Sequence, residues 1–137
     1  MSAEYQTLGV LWPGPPEDEL VPIEEARNTG WTAQWFRNYN AQAYERNPAG
    51  PKPIRDKLDW AVSYGERLGC PLWLGEFGAY SRADMDSRVN WTAFVRQEAE
   101  ARGIPWAYWE FGAGFGVYDR DGEAWREDLL RALIPEE

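Results

Sequence analysis

The sequence predicts an α/β fold with parallel strands and flanking helices, and three observations support this. Two short, nearly continuous apolar runs, 72–77 and 106–111, are typical of strands buried on both faces. A segment with helical periodicity, 87–103, separates them. A strand–helix–strand unit of this kind closes as a right-handed crossover, so the two strands are expected to be parallel.

The first part of the chain, 1–53, is predicted to be loop-rich with one short helix. Four prolines and three consecutive acidic residues lie between positions 13 and 22, which is a loop composition. Trp31, Trp35 and Tyr39 recur every four residues and predict the helix. A second break, with three prolines and a glycine, is expected from Asn47 to Pro53.

The second part, 54–137, has the element order αβαβα, and the whole chain, 1–137, is expected to be a single domain. The first helix should end at Gly69, and the second should begin at a Ser87 cap and end at Gly103. Three apolar faces define these helices: Ile54, Leu58, Ala61 and Leu68; Trp91, Val95 and Ala99; Trp125, Leu129 and Leu133.

Composition narrows the classes of partner and of chemistry. The 137 residues carry a formal net charge of -9, which repels nucleic acid and anionic membrane surfaces, so neither is an expected partner. The absence of histidine excludes Ser-His and Cys-His nucleophiles and most zinc sites, and no metal or cofactor is expected. Nine tryptophans favour a neutral ligand such as a sugar polymer, which stacks on indole faces.

Membrane and export signals are not evident in the sequence. Residues 1–9 have neither a basic leader nor an apolar stretch, and no run approaches the roughly 18 apolar residues of a membrane span. The chain is therefore expected to be soluble as written, and its location is not assigned.

Glu76 is the first candidate for chemistry, because it interrupts the run 72–77 at its C-terminal end. A buried glutamate is rare unless it is paired or functional, and catalytic side chains of α/β barrels lie at the carboxyl ends of strands. From spacing alone, Glu76 is either catalytic or a structural residue held by an arginine or a backbone amide. Strict alternation assigns the strand residues to two faces: Leu72, Leu74 and Glu76 on one, Trp73, Gly75 and Phe77 on the other.

Three stretches carry a resemblance to a known family: PLWLGEFGAY at 71–80, RVNW at 88–91 and WAYWEFGAGFGVYD at 106–119. They resemble the C-terminal part of family five glycoside hydrolases, the cellulase family. The likeness is strong over about half of the chain and continues more faintly toward residues 9–13.

The resemblance implies a (β/α)8 barrel that hydrolyses β-glucans with retention. By this resemblance Glu76 matches the catalytic nucleophile on the seventh strand, and Trp109 matches the substrate-binding ring on the eighth. The chemistry is consistent, because a carboxylate attacks the anomeric carbon while an aromatic face holds the CH groups of the sugar. If Trp109 lies beside Glu76, alternation turns Glu110 away.

The departures from the family pattern concern the second carboxylate. The family's acid/base glutamate lies in an Asn-Glu-Pro motif on the fourth strand, and this sequence has neither that tripeptide nor any His-x-Tyr segment. The sequence is expected to begin after the sixth strand. Because a retaining site needs two carboxyl groups about 5–5.5 Å apart, activity with Glu76 alone should be weak, partner-dependent or absent. Glu110, residues 17–19 and another subunit are the open sources of a second carboxylate.

Two predicted strands cannot close a barrel of eight, and open edges of parallel strands tend to pair or aggregate. The predicted fold is therefore a partial (β/α) barrel completed by self-association into a homo-oligomer, with a β-glucan or oligosaccharide as ligand. An extra strand at Thr7–Trp12 would cover one edge only. The alternative function is a non-catalytic, carbohydrate-binding or self-assembling remnant of the barrel.

Overall fold

A computed structural model describes residues 9–21 and 30–136, and it has a layer of helices packed on a two-stranded parallel sheet. A short antiparallel hairpin precedes the last helix. In chain order the elements are α1 (Gly30–Ala41), a 3-10 turn (Tyr44–Arg46), α2 (Pro51–Leu68), β1 (Leu74–Phe77), α3 (Met85–Glu100), β2 (Trp106–Tyr108), β3 (Tyr118–Asp119), β4 (Ala124–Trp125) and α4 (Glu127–Leu133).

Helix α1 lies where the spacing of aromatic residues predicts it, and its buried side chains hold the N-terminal loop. The hydroxyl of Tyr39 accepts a hydrogen bond from the Leu11 amide at 2.9 Å and donates one to the Leu11 carbonyl at 3.1 Å. Asn47 is fully buried and donates to the carbonyls of Tyr39 and Gln42 at 2.7 and 2.8 Å. The Tyr39 bonds pair backbone groups of the N-terminal loop, and the Asn47 bonds pair carbonyls at the end of α1.

The predicted strand at Thr7–Trp12 is not formed over its described residues. Thr7 and Leu8 lie outside the part that the structure describes, and residues 9–12 have no strand pairing. The amide of Leu11 bonds to the Tyr39 hydroxyl, and the amide of Trp12 bonds to the Ser87 hydroxyl at 2.9 Å. Side-chain hydroxyls therefore accept hydrogen bonds from two amides that a strand at the edge of the sheet would donate to its neighbour.

Helix α2 begins at Pro51, inside the segment where the sequence predicts a break. A proline in the first helical turn removes an N–H that has no partner within the helix, so Pro51 and Pro53 start this helix instead of interrupting it. The helix ends at Leu68, and Gly69 caps it with a φ of 64°, the left-handed conformation expected there.

Helix α3 is capped by Asp84, not by Ser87 as the sequence suggests. The Asp84 carboxylate accepts a hydrogen bond from the Ser87 amide at 2.7 Å, and this bond lowers the pKa of Asp84. The Ser87 hydroxyl instead accepts from Trp12, which ties α3 to the N-terminal loop. The helix ends at Glu100, and Gly103 follows with a φ of 65°.

Strands β1 and β2 pair in parallel, as the crossover argument predicts. Leu74 is paired with Trp106 and Phe77 with Tyr108, so three steps along β1 match two along β2. This irregularity makes the predicted alternation wrong: Leu74 and Phe77 both pack in the core, and Glu76 is exposed.

The two apolar runs form shorter and more exposed strands than the sequence predicts. Trp73 precedes β1 with 70% of its surface exposed, and Glu76 within the strand is exposed. Burial on both faces requires a layer on each side, whereas the described helices cover only one face of this sheet. The core between that face and the helices consists of Phe77, Val95, Val117, Leu129 and Leu133.

The last helix begins at Glu127, two residues later than the predicted Trp125. Trp125 belongs to β4, where it pairs with Tyr118 across the hairpin. The carboxylate of Asp119 accepts hydrogen bonds from the amides of Asp121 and Gly122, at 3.2 and 3.3 Å, and so fixes the turn. None of the helices within residues 9–21 and 30–136 combines the length and apolar character of a membrane span.

Gly78 allows the chain after β1 to approach the end of β2 closely. A Cβ at position 78 would overlap the carbonyl oxygen of Trp109, whereas a Cβ at Gly75 would meet nothing within 4 Å. The amide of Trp109 donates to the carbonyl of Phe77 at 2.8 Å, so the two chain segments cannot separate without losing a ladder bond.

Gly78→Ala is therefore expected to lower the free energy of unfolding by about 1–3 kcal/mol, the usual cost of forcing atoms into a packed site. Gly75→Ala is the matched control and should change it by less than about 0.5 kcal/mol. Chemical denaturation followed by tryptophan fluorescence measures both, and equal losses in the two variants would contradict this account.

Candidate functional site

Glu76 lies at the carboxyl end of β1 and is exposed. The structural alternative, a glutamate pinned by an arginine, has no support, because none of the ion pairs among the described residues includes Glu76. The irregular register between Leu74 and Phe77 turns Glu76 out of the helix-facing core. Its carboxylate is thus available to a ligand.

Trp109 is the first residue after β2, the strand that pairs with the one carrying Glu76. Its indole is 49% exposed, and its amide is bonded to Phe77, the neighbour of Glu76 in β1. Glu76 and Trp109 line one cleft of about 530 Å³, so the structure brings the two predicted site residues together. The other lining residues are Ile54, Lys57, Leu58, Leu74, Phe77, Gly78, Trp91, Val95 and Phe115.

The other carboxylates considered from the sequence lie elsewhere. The carboxylate of Glu110 accepts hydrogen bonds from the amides of Ala113 and Phe115 at 3.0 and 3.1 Å, and Glu110 does not line the cleft. Glu17, Asp18 and Glu19 line a separate groove near the start of α3. Among the described residues that line the Glu76 cleft, Glu76 is the one carboxylate.

Arg88 holds the two loops that flank the cleft, and residue spacing alone does not single it out. Its side chain is 1% exposed and donates to the carbonyls of Ala79 and Phe115 at 3.1 and 3.2 Å. The hydroxyl of Tyr108 donates to the same Phe115 carbonyl at 2.7 Å. Burial lowers the pKa of Arg88 and raises the pKa of Tyr108.

The position of Arg88 explains why spacing could not reveal it. It lies in the first turn of α3, where a charged residue ordinarily faces solvent. The available signal was its place in the RVNW stretch that resembles the cellulase family. Within the described residues, no group of three or more Asp, Glu, Cys or His side chains is arranged to hold a metal ion.

Sequence comparison finds relatives over part of the chain. No family model matches. Endoglucanase H of Acetivibrio thermocellus is 33% identical in an alignment 84 residues long that covers 56% of this chain and 9% of that protein. Endoglucanase C of the same organism is 30% identical in an alignment 81 residues long that covers 58% of this chain and 24% of that protein. The chain thus spans a quarter or less of the length of these curated relatives.

Structure comparison finds the same class of protein. A solved endoglucanase is 49% identical with a TM-score of 0.60, over 63% of this chain and 28% of that one. Cel5A of Thermotoga maritima, solved with cellobiose, is 35% identical with a TM-score of 0.60, over 79% of this chain and 33% of that one. These neighbours are barrel enzymes, and the helices and parallel sheet described above correspond to part of such a barrel.

The relatives found by sequence and by structure are of one class, the endoglucanases. Over the matched part, the chain is similar to endoglucanases that include family five enzymes, which is consistent with a fragment of a family five glycoside hydrolase.

Proposed function

We propose that this chain carries the nucleophile and one sugar-binding ring of a retaining glycoside hydrolase that acts on β-glucans or their oligosaccharides. The observation that carries the proposal is the common cleft of Glu76 and Trp109, at the ends of two paired parallel strands. Catalytic side chains of α/β barrels lie at this edge. Cel5A of Thermotoga maritima, a partial homologue, has been solved with cellobiose and with mannotriose.

In the proposed reaction the Glu76 carboxylate attacks the anomeric carbon, and the bond from that carbon to the leaving oxygen breaks. The product is a glycosyl ester on Glu76, which water then hydrolyses to the free sugar and the carboxylate. Trp109 stacks against the CH face of the sugar and holds it for attack. An ordinary sugar leaving group also needs a proton from an acid, which is worth roughly two to four orders of magnitude in rate.

The supply of that proton limits the proposed activity. Glu76 is the single carboxylate among the described lining residues, whereas a retaining pair lies about 5–5.5 Å apart. Activity on ordinary glucans is therefore weak, or depends on a carboxylate from residues outside those described or from a partner. An aryl glycoside with an acidic phenol needs little proton assistance, so it isolates the role of Glu76.

Wild-type protein is expected to release nitrophenol from a nitrophenyl β-cellobioside faster than buffer does, and Glu76→Gln should reduce release to the buffer rate, because an amide is not a competent nucleophile. Glu66→Gln, an exposed residue of α2 outside the cleft, is the matched control and should keep the wild-type rate. If Glu76→Gln and wild type release nitrophenol at one rate, the hydrolase proposal fails.

A second candidate is a module that binds sugar without cleaving it. The half-exposed Trp109 and the mainly apolar cleft favour it, because binding requires a stacking surface but no second carboxylate. Both candidate functions use the Trp109 ring to bind sugar, but only the hydrolase requires Glu76.

Trp109→Ala is expected to weaken binding of cello-oligosaccharides about fivefold or more, because a stacked ring contributes about 1 kcal/mol. Trp31→Ala removes an indole that is 77% exposed on α1, away from the cleft, and should leave binding unchanged. Isothermal titration with cellotetraose measures both. Binding that survives in Trp109→Ala would remove this ring from the proposed site.

The chain is also proposed to self-associate. Among the described residues, β1 and β2 pair only with each other, so each has a second edge with backbone groups available for pairing. Large aromatic side chains are exposed on α2, before β1 and in the hairpin, namely Trp60, Trp73 and Trp125. Such surfaces are typical of protein contacts.

Light scattering at micromolar concentration is expected to give a mass of at least twice the 15.8 kDa of one chain. The mass should fall on dilution, because association follows mass action. A compact particle of one chain at every concentration would rule out self-association and leave the Glu76 and Trp109 tests unaffected.

A further inference from the structure

The guanidinium of Arg88 is a buried cation that no described carboxylate neutralises. Arg88 is 1% exposed, and none of the ion pairs within residues 9–21 and 30–136 includes it. Its Nε donates to the Ala79 carbonyl at 3.1 Å and its Nη2 to the Phe115 carbonyl at 3.2 Å, while its Nη1 lies 3.9 Å from the Met85 sulfur. Burying a charge is unfavourable, and an apolar side chain of similar volume is often at least as stabilising. Stability of the fold alone therefore does not account for an arginine at this position.

The two carbonyls that Arg88 binds belong to the loops after the two paired strands. Ala79 lies three residues after Glu76, in the loop between β1 and α3. Phe115 lies six residues after Trp109, in the loop between β2 and β3. Because Nε and Nη2 lie on one edge of a planar, rigid fork, the guanidinium fixes both carbonyls relative to each other. Arg88 thus connects the loop after the predicted nucleophile with the loop after the predicted sugar-binding ring.

The second of these loops places a phenyl ring against the cleft. Phe115 lines the cleft together with Glu76 and Trp109. A Cβ at position 78 would lie 3.4 Å from Cδ1 of Phe115, so the phenyl ring lies beside Gly78, which lines the same cleft. Movement of Phe115 therefore changes the width of the cleft close to Glu76.

The backbone of Phe115 is held by side chains at both of its polar groups. Its amide donates to the Glu110 carboxylate at 3.1 Å, and its carbonyl accepts from the Tyr108 hydroxyl at 2.7 Å in addition to Arg88. Three glycines within 112–116 leave this loop few backbone restraints of its own. The bound side chains, with Arg88 acting from a helix outside the loop, therefore determine where the phenyl ring lies.

Arg96, on the same helix, is a buried arginine that holds a different part of the chain. It is 8% exposed, is paired with the carboxylate of Glu100, and donates to the Ala132 carbonyl at 2.8 Å. It joins α3 to α4 and does not line the cleft. Arg96 holds two helices together, whereas Arg88 holds two loops at the cleft, so Arg96 is the matched reference for Arg88.

We propose that Arg88 is a positioning residue of the cleft: its fork sets the distance between the loop after Glu76 and the loop that carries Phe115. The inference rests on the proposed sugar site and adds to it a residue that does not touch the sugar. Displacing a group around a reacting molecule by about 1 Å can lower the rate on the order of a hundredfold. Without the fork, a sugar would be held less accurately between Glu76 and Trp109.

Three variants test the role of Arg88. Arg88→Met removes both hydrogen bonds and the charge, Arg88→Lys keeps the charge but has one nitrogen in place of the fork, and Arg96→Met removes the reference arginine. With a nitrophenyl β-cellobioside, kcat is expected to fall about tenfold in Arg88→Met and about threefold in Arg88→Lys, with KM changed less than kcat. Arg96→Met should stay within about twofold of wild type in kcat, because it leaves the cleft loops in place. Rates are compared where circular dichroism and urea unfolding show each variant to be folded.

Hydrogen exchange of backbone amides is a second readout that needs no activity. The Ser81 amide is bonded to the Gly114 carbonyl at 2.8 Å, across the two loops, and the Phe115 amide is bonded within its own loop. Exchange at Ser81 and Phe115 is expected to be about tenfold faster in Arg88→Met than in wild type, because local opening no longer breaks the Arg88 bonds. Arg96→Met should leave both rates unchanged.

The outcomes separate this inference from the proposed function. Arg88→Met with the kcat or the loop exchange of Arg96→Met, or Arg88→Lys with wild-type values, would overturn the positioning role and leave the hydrolase proposal intact. If Arg88→Met does not fold, Arg88→Lys carries the same comparison.

If wild type lacks release that depends on Glu76, the hydrolase proposal fails, and the affinity for cellotetraose measured by titration calorimetry replaces kcat. Arg88→Met should then bind about threefold more weakly than Arg96→Met, a difference of about 0.6 kcal/mol, and equal affinities would overturn the positioning role. A wild-type chain that neither cleaves nor binds sugar would overturn both proposals.

Discussion

The close approach of two backbone segments at the carboxyl ends of β1 and β2 is the constraint on which the candidate site depends. The carbonyl of Phe77 accepts the Trp109 amide at 2.8 Å, and Gly78 leaves room for the Trp109 carbonyl where any side chain would overlap it. One ladder bond and one missing Cβ thus fix the distance between the strand that carries Glu76 and the chain that carries Trp109. A site built from two chain segments needs such fixed spacing, because small displacements of the groups around a reacting molecule lower the reaction rate.

A buried cation stabilises this arrangement from behind. Arg88 is 1% exposed and donates to one carbonyl in the loop after β1 and to one in the loop after β2. Burying a guanidinium is energetically unfavourable unless its N–H donors are paired. Movement of these loops would expose Arg88 or break its hydrogen bonds, so it is disfavoured. Glu110 acts similarly from the second loop, where its carboxylate binds two backbone amides. Charged side chains here order the loops around the cleft, while Glu76 itself stays accessible.

The sequence predicted the elements and their order better than their details. Apolar runs and helical periodicity located β1, β2 and α2, and the family resemblance, confirmed over part of the chain, singled out Glu76 and Trp109. The register irregularity between Leu74 and Phe77 was not predictable, because alternation assumes one residue per step on both strands. The hairpin at Tyr118 was missed for a related reason, since two-residue strands carry no periodic signal.

The composition of the chain is explained by where its aromatic residues lie. Trp91 and Trp106 pack around the core, where their rings contact Phe77, but Trp60, Trp73 and Trp125 do not lie in that core. In a single copy of the chain these exposed rings lower solubility and add no stability, because apolar surface is stabilising only when it is removed from water. Contact between copies would move the exposed indoles out of water, and this is the physical reason for the proposed self-association.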